Sequence, residues 1–392
     1  MSMTFYQNAL FTKYDGGSIC NILPSLAKMY SVKSEDGIKR IPLYSEIYLP
    51  LEKLAKRVKK IIIFEIDGLG FDRLIKIRSE FPFLKENVFK ITSTFPTYTH
   101  SAFASFITGV PPSYHGVVAG TFKIDNGIKW IGDNFNGIND KNLILANSLL
   151  REFEKSGLKT YSILYDVNNN KFSRYLYPKR IFVSSRVSFQ NKDLIKEARL
   201  VERRVFKEIQ KLAKKDFLIL TAYFWYLDGI TGKYGKFSLE SINHCRFLFK
   251  EMSKLQKIFP KDTLFIFMGD HGHTSLKKNI LLEEKRIREI SNLSNASLAL
   301  DGRTLMFYSN KIELTKKLFR KYYGKYVKEI SRKDYFALLG PECSFEIRKR
   351  VGNLIYETVP HCTFRLKPKN SKATHGGRSK EEMETVFGFW RI

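Results

Sequence analysis

The sequence predicts an α/β fold: a three-layer sandwich built on a mostly parallel central sheet, with a smaller α+β lobe inserted in it. Three observations predict it. Short β-branched or aromatic runs alternate with longer amphipathic stretches, the pattern of strands wrapped by helices. Asp67, Asp228 and Asp270 each follow a strand-like run. The stretch from about Leu276 to Pro360 has an alternation of its own and carries none of the metal-type ligands singled out on either side of it.

Taken in order, Ile61–Ile66 is the first strand and ends in Asp67-Gly68, and Val88–Thr92 is the second. Thr99 opens an apolar, helix-like segment that stops at Gly109, a common helix terminator. Thr160–Leu164 is a strand, and Ile195–Lys214 sets Ala198, Val201, Val205, Ile209 and Leu212 at helical spacing. Phe217–Trp225 is a strand leading to Asp228; Leu239–Ile258 is a helix with Ile242, Phe247, Phe249, Met252 and Leu255 inward; Leu264–Met268 is a strand leading to Asp270-His271. Within the inserted segment, Thr304–Tyr308 and Val351–Thr358 read as strands and Ile312–Tyr323 as a basic helix. The chain returns to the core at about His361, and Thr385–Ile392 is a final strand. The expected division is therefore a core of residues 1–275 and 361–392 with a cap lobe of residues 276–360.

At 392 residues, 43% hydrophobic and 14% aromatic, the chain can bury a sizeable core and is too apolar for a disordered one. Its longest apolar runs fall far short of the roughly 18 residues that cross a bilayer, so no membrane span is expected. Met1–Lys13 lacks the pattern of a signal peptide. Cys20, Cys245, Cys343 and Cys362 include no close pair, which argues against a disulfide framework or a cysteine zinc site. A cytoplasmic protein is expected. The formal charge of +28 would draw anionic phosphoester substrates or nucleic acid, although the basic residues are spread along the chain as a solvated surface would be.

In open α/β sheets ligands bind beyond the carboxyl ends of the strands, so Asp67, Asp228 and Asp270 should converge on one rim, joined by His271 and by His375 of the His375-Gly376-Gly377 run. Carboxylate and imidazole without thiolate suit zinc or manganese better than calcium. Two such ions about 4 Å apart clamp an in-line displacement at phosphorus. Thr99, at a helix start, has backbone N–H groups beside it for a phosphate and a hydroxyl that a nearby cation would activate; it is equally suited to capping the helix.

Phe64-Glu65-Ile66-Asp67-Gly68-Leu69-Gly70, Phe95-Pro96-Thr97-Tyr98-Thr99 with Thr108-Gly109 and His115-Gly116, Asp228 with Lys233-Tyr234-Gly235, Gly269-Asp270-His271-Gly272 and Thr374-His375-Gly376-Gly377 together resemble the type I phosphodiesterase/nucleotide pyrophosphatase branch of the alkaline phosphatase superfamily. Order and spacing match from about Tyr14 to Ile392. The resemblance implies an alkaline phosphatase-like core, a two-zinc site and a Thr nucleophile that forms a phospho-enzyme intermediate. Thr94 and Thr99 compete for that role; the family's nucleophile precedes the helix-ending Gly by ten positions, which fits Thr99 and Gly109. Carried over, Asp67, Thr99, Asp270 and His271 hold the nucleophile-side metal, and Asp228 and His375 the other.

Two positions depart from the pattern. Four residues after Asp228, where the family has a metal-ligating His, this chain has Gly232, and Gly120 stands where nucleotide pyrophosphatases have a phosphoryl-binding Asn. Four outcomes are open for the depleted shell: a substitute ligand such as His273 or His100, a weakly held second metal, one-metal catalysis, or loss of activity. A second His just after Asp270-His271 is more often a surface or supporting residue, and His100, His115, His244 and His361 read as structural. The function implied is metal-dependent hydrolysis of phosphodiester or pyrophosphate bonds in a nucleotide-like substrate. The alternatives are a weak or inactive member that binds nucleotides or nucleic acid through its basic surface, and a phosphomonoesterase or phosphomutase. Arg303, Lys316, Lys317 and Arg320 are candidates for anion contacts, with a solvated basic face as the plainer description.

Overall fold

A computed structural model describes residues 11–125, 127–133, 140–186 and 193–392. Residues 1–10, most of the segment read as lacking a leader, lie outside the described residues. Eleven strands build the two sheets that matter for the site: β1 (Lys60–Ile66), β2 (Val88–Thr92), β3 (Thr160–Tyr165), β4 (Arg180–Val183), β5 (Ile219–Phe224), β6 (Thr263–Gly269), β7 (Ala296–Asp301), β8 (Thr304–Ser309), β9 (Val327–Ile330), β10 (Leu354–Thr358) and β11 (Glu384–Arg391).

The central sheet has the order β2-β11-β6-β1-β5-β3-β4. Neighbours β6, β1, β5, β3 and β4 run parallel, while the final strand β11 lies antiparallel between β2 and β6. In β1, β5 and β6 successive residues are buried without alternation, because both faces of a parallel sheet are covered by helices. That is why these strands read as continuous apolar runs rather than as an inside-outside pattern.

The covering helices follow from their apolar stripes. Helix α2 (Leu194–Leu212) buries Ala198, Val201, Val205, Ile209 and Leu212 and starts at Asp193, whose side chain accepts from the N–H of Ile195 and Lys196. Helix α4 (Leu239–Leu255) starts at Ser238 in the same manner and packs beside α2. Between these two helices a buried His244 Nε2 lies 2.7 Å from Glu202 Oε2, so His244 does have a carboxylate neighbour, brought by tertiary packing rather than sequence proximity.

Register decides where the acids go. Ile66, the last residue of β1, pairs with Phe224 on β5 and with Gly269 on β6. The next residue on each outer side is therefore level with the next residue of β1: Asp67 N–H donates to Phe224 O at 2.8 Å, and Asp270 begins where β6 stops. Asp228 is one helical step further, in the first turn of α3 (Tyr226–Tyr234).

Strands β7, β8, β10 and β9 form a separate antiparallel sheet in that order, and helix α5 (Ile312–Tyr323) packs on it. Alternation along these strands splits the residues between two cores. Leu305, Phe307, Leu354 and Tyr356 join Phe319 and Tyr323 of α5 in a local cluster, whereas Met306 and Ile355 belong to the main core. The sheet thus rests on the large domain through one face. Arg303, considered above as an anion contact, is only 3% exposed and lies 3.2 Å from Glu382; a guanidinium committed to a buried carboxylate is neither solvated nor free. Lys316 and Arg320 both reach Glu329, a more ordinary half-exposed arrangement worth little to stability.

Candidate active site

The three carboxylates and two imidazoles singled out in the sequence do meet at the carboxyl rim of the central sheet. Thr99 joins them as the first residue of helix α1 (Thr99–Thr108). The capping position itself is Tyr98, not Thr99, and Gly109 ends the helix in the left-handed conformation at φ 72°. Thr99 is thus freed from capping, and its Oγ1 lies 3.4 Å from Asp67 Oδ1 and 3.3 Å from His271 Nε2.

Asp67, Asp270 and His271 can present one ligand atom each within a sphere 4.8 Å across. His271 Nε2 is 3.5 Å from Asp67 Oδ1 and 3.3 Å from Asp270 Oδ2. Ligand atoms about 2.0–2.1 Å from a tetrahedral ion stand about 3.3 Å from one another, so these separations fit a divalent cation. Each side chain is held for that task. Asp67 Oδ2 accepts from Tyr223 Oη at 2.5 Å, and Asp270 Oδ1 accepts from the N–H of Gly68 and of His271, each at 2.8 Å. Asp270 Oδ2 is left buried with no hydrogen-bond partner, an expensive condition for a carboxylate oxygen that a cation would relieve. His271 Nδ1–H donates to Gly272 O at 3.0 Å, which leaves Nε2 with its lone pair, as in metal-bound histidines.

The electrostatics agree. Burial, then repulsion from Asp270 and Asp228, holds the Asp67 carboxyl well above its ordinary value. Burial pushes Asp270 up to about 7. His271 is held well below the usual imidazole range by burial and then by the facing His375 and His273, so the ring is neutral and able to bind metal. Converging acids that resist ionising together are what a divalent cation neutralises.

The second group is Asp228, His375 and, again, His271. His375 Nε2 stands 3.4 Å from Asp228 Oδ1, and its Nδ1–H donates to Thr97 O at 2.8 Å. The His375 loop is pinned by Thr97, whose Oγ1 donates to Gly377 O at 2.8 Å and accepts from Gly376 N–H at 2.9 Å. Burial works to raise Asp228, but the imidazoles of His375 and His273 outweigh it and hold this carboxyl far below its ordinary range. This side is more open: the Asp228 and His375 side chains are 32% and 18% exposed, against 0% for Asp270 and His271.

Of the two readings of His273, a surface or a supporting residue, the structure shows the second. The residue is 1% exposed and its Nε2 lies 2.8 Å from Asp228 Oδ1. The turn after β6 sends it inward over Gly68, where an added Cβ would sit 2.5 Å from His273 Cε1. His100 instead stacks among Tyr98, Trp130 and Phe172, and His115 bonds Ser105 and Val117, as structural histidines do. Thr94 is buried with an unpartnered hydroxyl beside the cis Phe95-Pro96 bond, and none of its hydrogen bonds reaches the rim. Gly120 lies under Tyr98, whose ring would be 2.1 Å from an added Cβ, and its N–H donates to Asp301 Oδ2 at 2.7 Å; no longer side chain fits there as the structure stands.

Tyr223, Thr97 and Asp301 escaped the sequence reading. Tyr223 lies on a predicted strand, one residue before the end of β5, and proximity to a rim carboxylate was the one signal that could have flagged it. Thr97 and Asp301 act through contacts distant in sequence and left no such signal.

An α/β sheet with acids and imidazoles gathered at its carboxyl rim can hold divalent cations, and a family match puts the chain among phosphoester hydrolases of the phosphodiesterase/pyrophosphatase type. The sequence profile of the type I phosphodiesterase / nucleotide pyrophosphatase family matches residues 61–378. The chain belongs to that family. No curated protein sequence matches it significantly. Among solved structures it resembles human ectonucleotide pyrophosphatase / phosphodiesterase 5 at 15% identity and a TM-score of 0.63, covering 84% of this chain and 87% of that one. It also resembles phosphonoacetate hydrolase from Sinorhizobium meliloti 1021 at 16% identity and a TM-score of 0.62, covering 86% and 90%. Likeness at this level speaks for the shared fold. Among the described residues no helix is long and apolar enough to cross a membrane.

Proposed function

We propose that this protein is a divalent metal-dependent hydrolase of phosphodiester or pyrophosphate bonds in nucleotide-like substrates, with Thr99 as nucleophile. The observation that carries the proposal is the placement of Thr99 Oγ1 at 3.3–3.4 Å from both His271 Nε2 and Asp67 Oδ1, inside a carboxylate–imidazole cluster fit for a cation. Asp67, Thr99, Asp270 and His271 would hold one ion, and Asp228 and His375 would contribute to a second; zinc suits the donor set and manganese is the alternative. Such ions, when bound, supply Lewis-acid stabilisation of the charge that develops on the attacking, leaving and phosphoryl oxygens.

The protein's own groups do the rest. The Thr99 hydroxyl donates toward Asp67 Oδ1, which leaves an oxygen lone pair for the phosphorus. Attack forms the Thr99–phosphorus bond as the hydroxyl proton is released to solvent, and breaks the bond to the leaving oxygen, which departs with the electron pair and takes a proton from water. Water then hydrolyses the phosphothreonine, adding its hydroxyl to the phosphate and returning a proton to Thr99. Thr99 also stands at the start of α1, where the first backbone N–H groups have no intrahelical partner and favour a phosphoryl oxygen. The Tyr223–Asp67 and Thr97–His375 bonds keep the cluster in place before substrate arrives.

Two further features bear on an anionic, nucleotide-sized substrate. Thr99 opens on a recess of about 50 Å³ lined by His100, Phe103, Phe172, Tyr177 and Tyr223, aromatic groups that would have to part before a base could rest against them. A separate basic groove of about 660 Å³ is lined by Lys277, Lys278, Arg365, Lys367 and Lys369, suited to recruiting phosphates. Human ectonucleotide pyrophosphatase / phosphodiesterase 5 bears a nucleotide substrate class in its name, and a murine counterpart was solved with AMP. Residues 276–360 would act as a cap lobe that shapes specificity, with Asp301 tying it to the Gly120 backbone. Four unpaired cysteines accord with a reducing, cytoplasmic setting.

The test is hydrolysis of an aryl phosphodiester and of the matching monoester, with zinc or manganese added, by the wild type and by Thr99→Ala. Diester turnover that Thr99→Ala abolishes is expected. No turnover of either ester rejects the enzyme assignment, preference for the monoester would move the function to phosphomonoesterase, and full activity in Thr99→Ala would remove Thr99 as nucleophile.

A further inference from the structure

The two cation-sized groups at the rim, Asp67 with Asp270 and Asp228 with His375, share one imidazole, His271. One ring cannot serve two ions here. His271 Nδ1–H is committed to Gly272 O, so only Nε2 is available, and it is nearest to Asp270 and Thr99. The shell built on Asp228 and His375 therefore needs another protein ligand, since catalytic sites for such ions usually have three.

Helix α3 does not provide it. Gly232 lies one turn after Asp228 on the same helix face, and a Cβ added there meets only Ala373 O, at 3.9 Å. The space where a side chain would descend from the helix is open. His273 reaches Asp228 from the opposite side, out of the turn after β6.

We propose that His273 replaces the ligand lost at position 232, its Nε2 joining Asp228 and His375 around the second divalent cation. The proposal rests on the metal-dependent function above and specifies how that function survives Gly232. His273 completes a compact group of imidazoles: His271 and His375 stack at 3.8 Å between centroids, and His273 stands edge-on to both at 5.5 and 5.6 Å. Its Nε2 is 2.8 Å from Asp228 Oδ1, about 0.5 Å closer than two ligands on one tetrahedral ion, and it stands outside the cation-sized set of Asp228, His271 and His375, so binding requires the ring to turn from Asp228 toward His375. Whereas His271 and His375 are anchored through Nδ1, His273 Nδ1 is buried without a hydrogen-bond partner, so only packing over Gly68 holds the ring. Ligation through Nε2 moves its proton to Nδ1, where it needs the partner that metal-bound histidines have. The ligand has in effect moved from the helix to the neighbouring strand end while the site stays where it was.

The decisive experiment uses the full chain loaded with zinc or cobalt. Metal content and affinity are measured for the wild type, His273→Met, which keeps the volume with an adaptable apolar side chain, and His273→Met combined with Gly232→His. Expected are both ions in the wild type, a loss of at least about 100-fold in affinity for the second ion alone in His273→Met, and recovery in the double variant. In the cobalt-loaded wild type with ¹⁵N-labelled histidine, His273 Nε2 should show the large contact shift of a directly bound nitrogen, as His271 and His375 do. This second measurement decides the matter if His273→Met fails to fold. A His273 Nε2 with only the smaller through-space shift, or unchanged second-ion affinity in a folded His273→Met, overturns the proposal while leaving metal dependence standing. A wild type that binds no divalent ion overturns both.

Discussion

The two halves of the rim are built differently. The Asp67–Asp270–His271 half sits on adjacent central strands whose register is fixed by continuous hydrogen bonding and by burial on both faces. The Asp228–His375 half draws on a helix turn and on a loop near the C-terminus, and it is partly exposed. Moving a ligand in the first half would require a register slip that turns a buried strand inside out. In the second, a new side chain from a neighbouring turn can reach the same point without disturbing the sheet. Substitution at position 232 falls in the half where the architecture tolerates it.

The largest test of this contrast removes one acid from each half. Asp270→Ala should abolish ion binding at the buried shell and lower diester turnover by at least about 10³-fold, as losing a member of a catalytic unit does, whereas Asp228→Ala should keep the buried ion. Metal analysis after dialysis distinguishes them, and loss of all metal in Asp228→Ala would show that the halves are not independent. Next in size, Tyr223→Phe removes the 2.5 Å bond on Asp67 and should weaken the buried ion by about 10–100-fold, the usual cost of losing a supporting contact; a calorimetric titration reads it. Gly232→His in the wild-type background should tighten only the second ion, by about 10-fold. Unchanged affinity there would show that an imidazole from the helix no longer reaches the site.

A separate effect is on stability. Burial raises Asp270 to about 7, above its unfolded value near 4, so between those limits the metal-free native state keeps a proton that the unfolded chain has lost. The native state is therefore favoured in full below pH 4 and loses this contribution as pH rises to about 7. Relative to Asp270→Asn, the metal-free wild type should lose about 1.4 kcal/mol per pH unit across that window, as an upper figure. Denaturant unfolding of both proteins at several pH values measures the difference, which includes the change at Asp67 when its charged neighbour is removed. A flat difference would mean that Asp270 ionises freely and that the buried half is less strained than its geometry implies.

Much of the fold was legible beforehand. Val88–Thr92 and Ile312–Tyr323 match their observed bounds, and the other strands read for the central sheet differ at their ends by a residue or two, because apolar periodicity marks the middle of an element better than its caps; the short edge strand Arg180–Val183 was not read at all. Asp67, Asp270 and His271 were legible for a related reason: a strand that stops at the rim in sequence stops there in space. What stayed illegible has another cause. The surroundings of His273, Arg303 and His244 come from segments distant in the chain, Asp228, Glu382 and Glu202; of the three only Arg303 departs from its reading.

Local pattern and spacing were enough for the α/β class, the strands that carry the acids and the threonine at the helix start, whereas the missing ligand at position 232 shows only against the family resemblance. Only the tertiary structure decided that Tyr223 holds Asp67, that Thr97 pins the His375 loop, and that His273 points inward at Asp228 rather than out to solvent. A side chain's direction at the end of a strand is set by the turn that follows and by what packs across it, here the bare backbone of Gly68, and neither is written in the residues next to it.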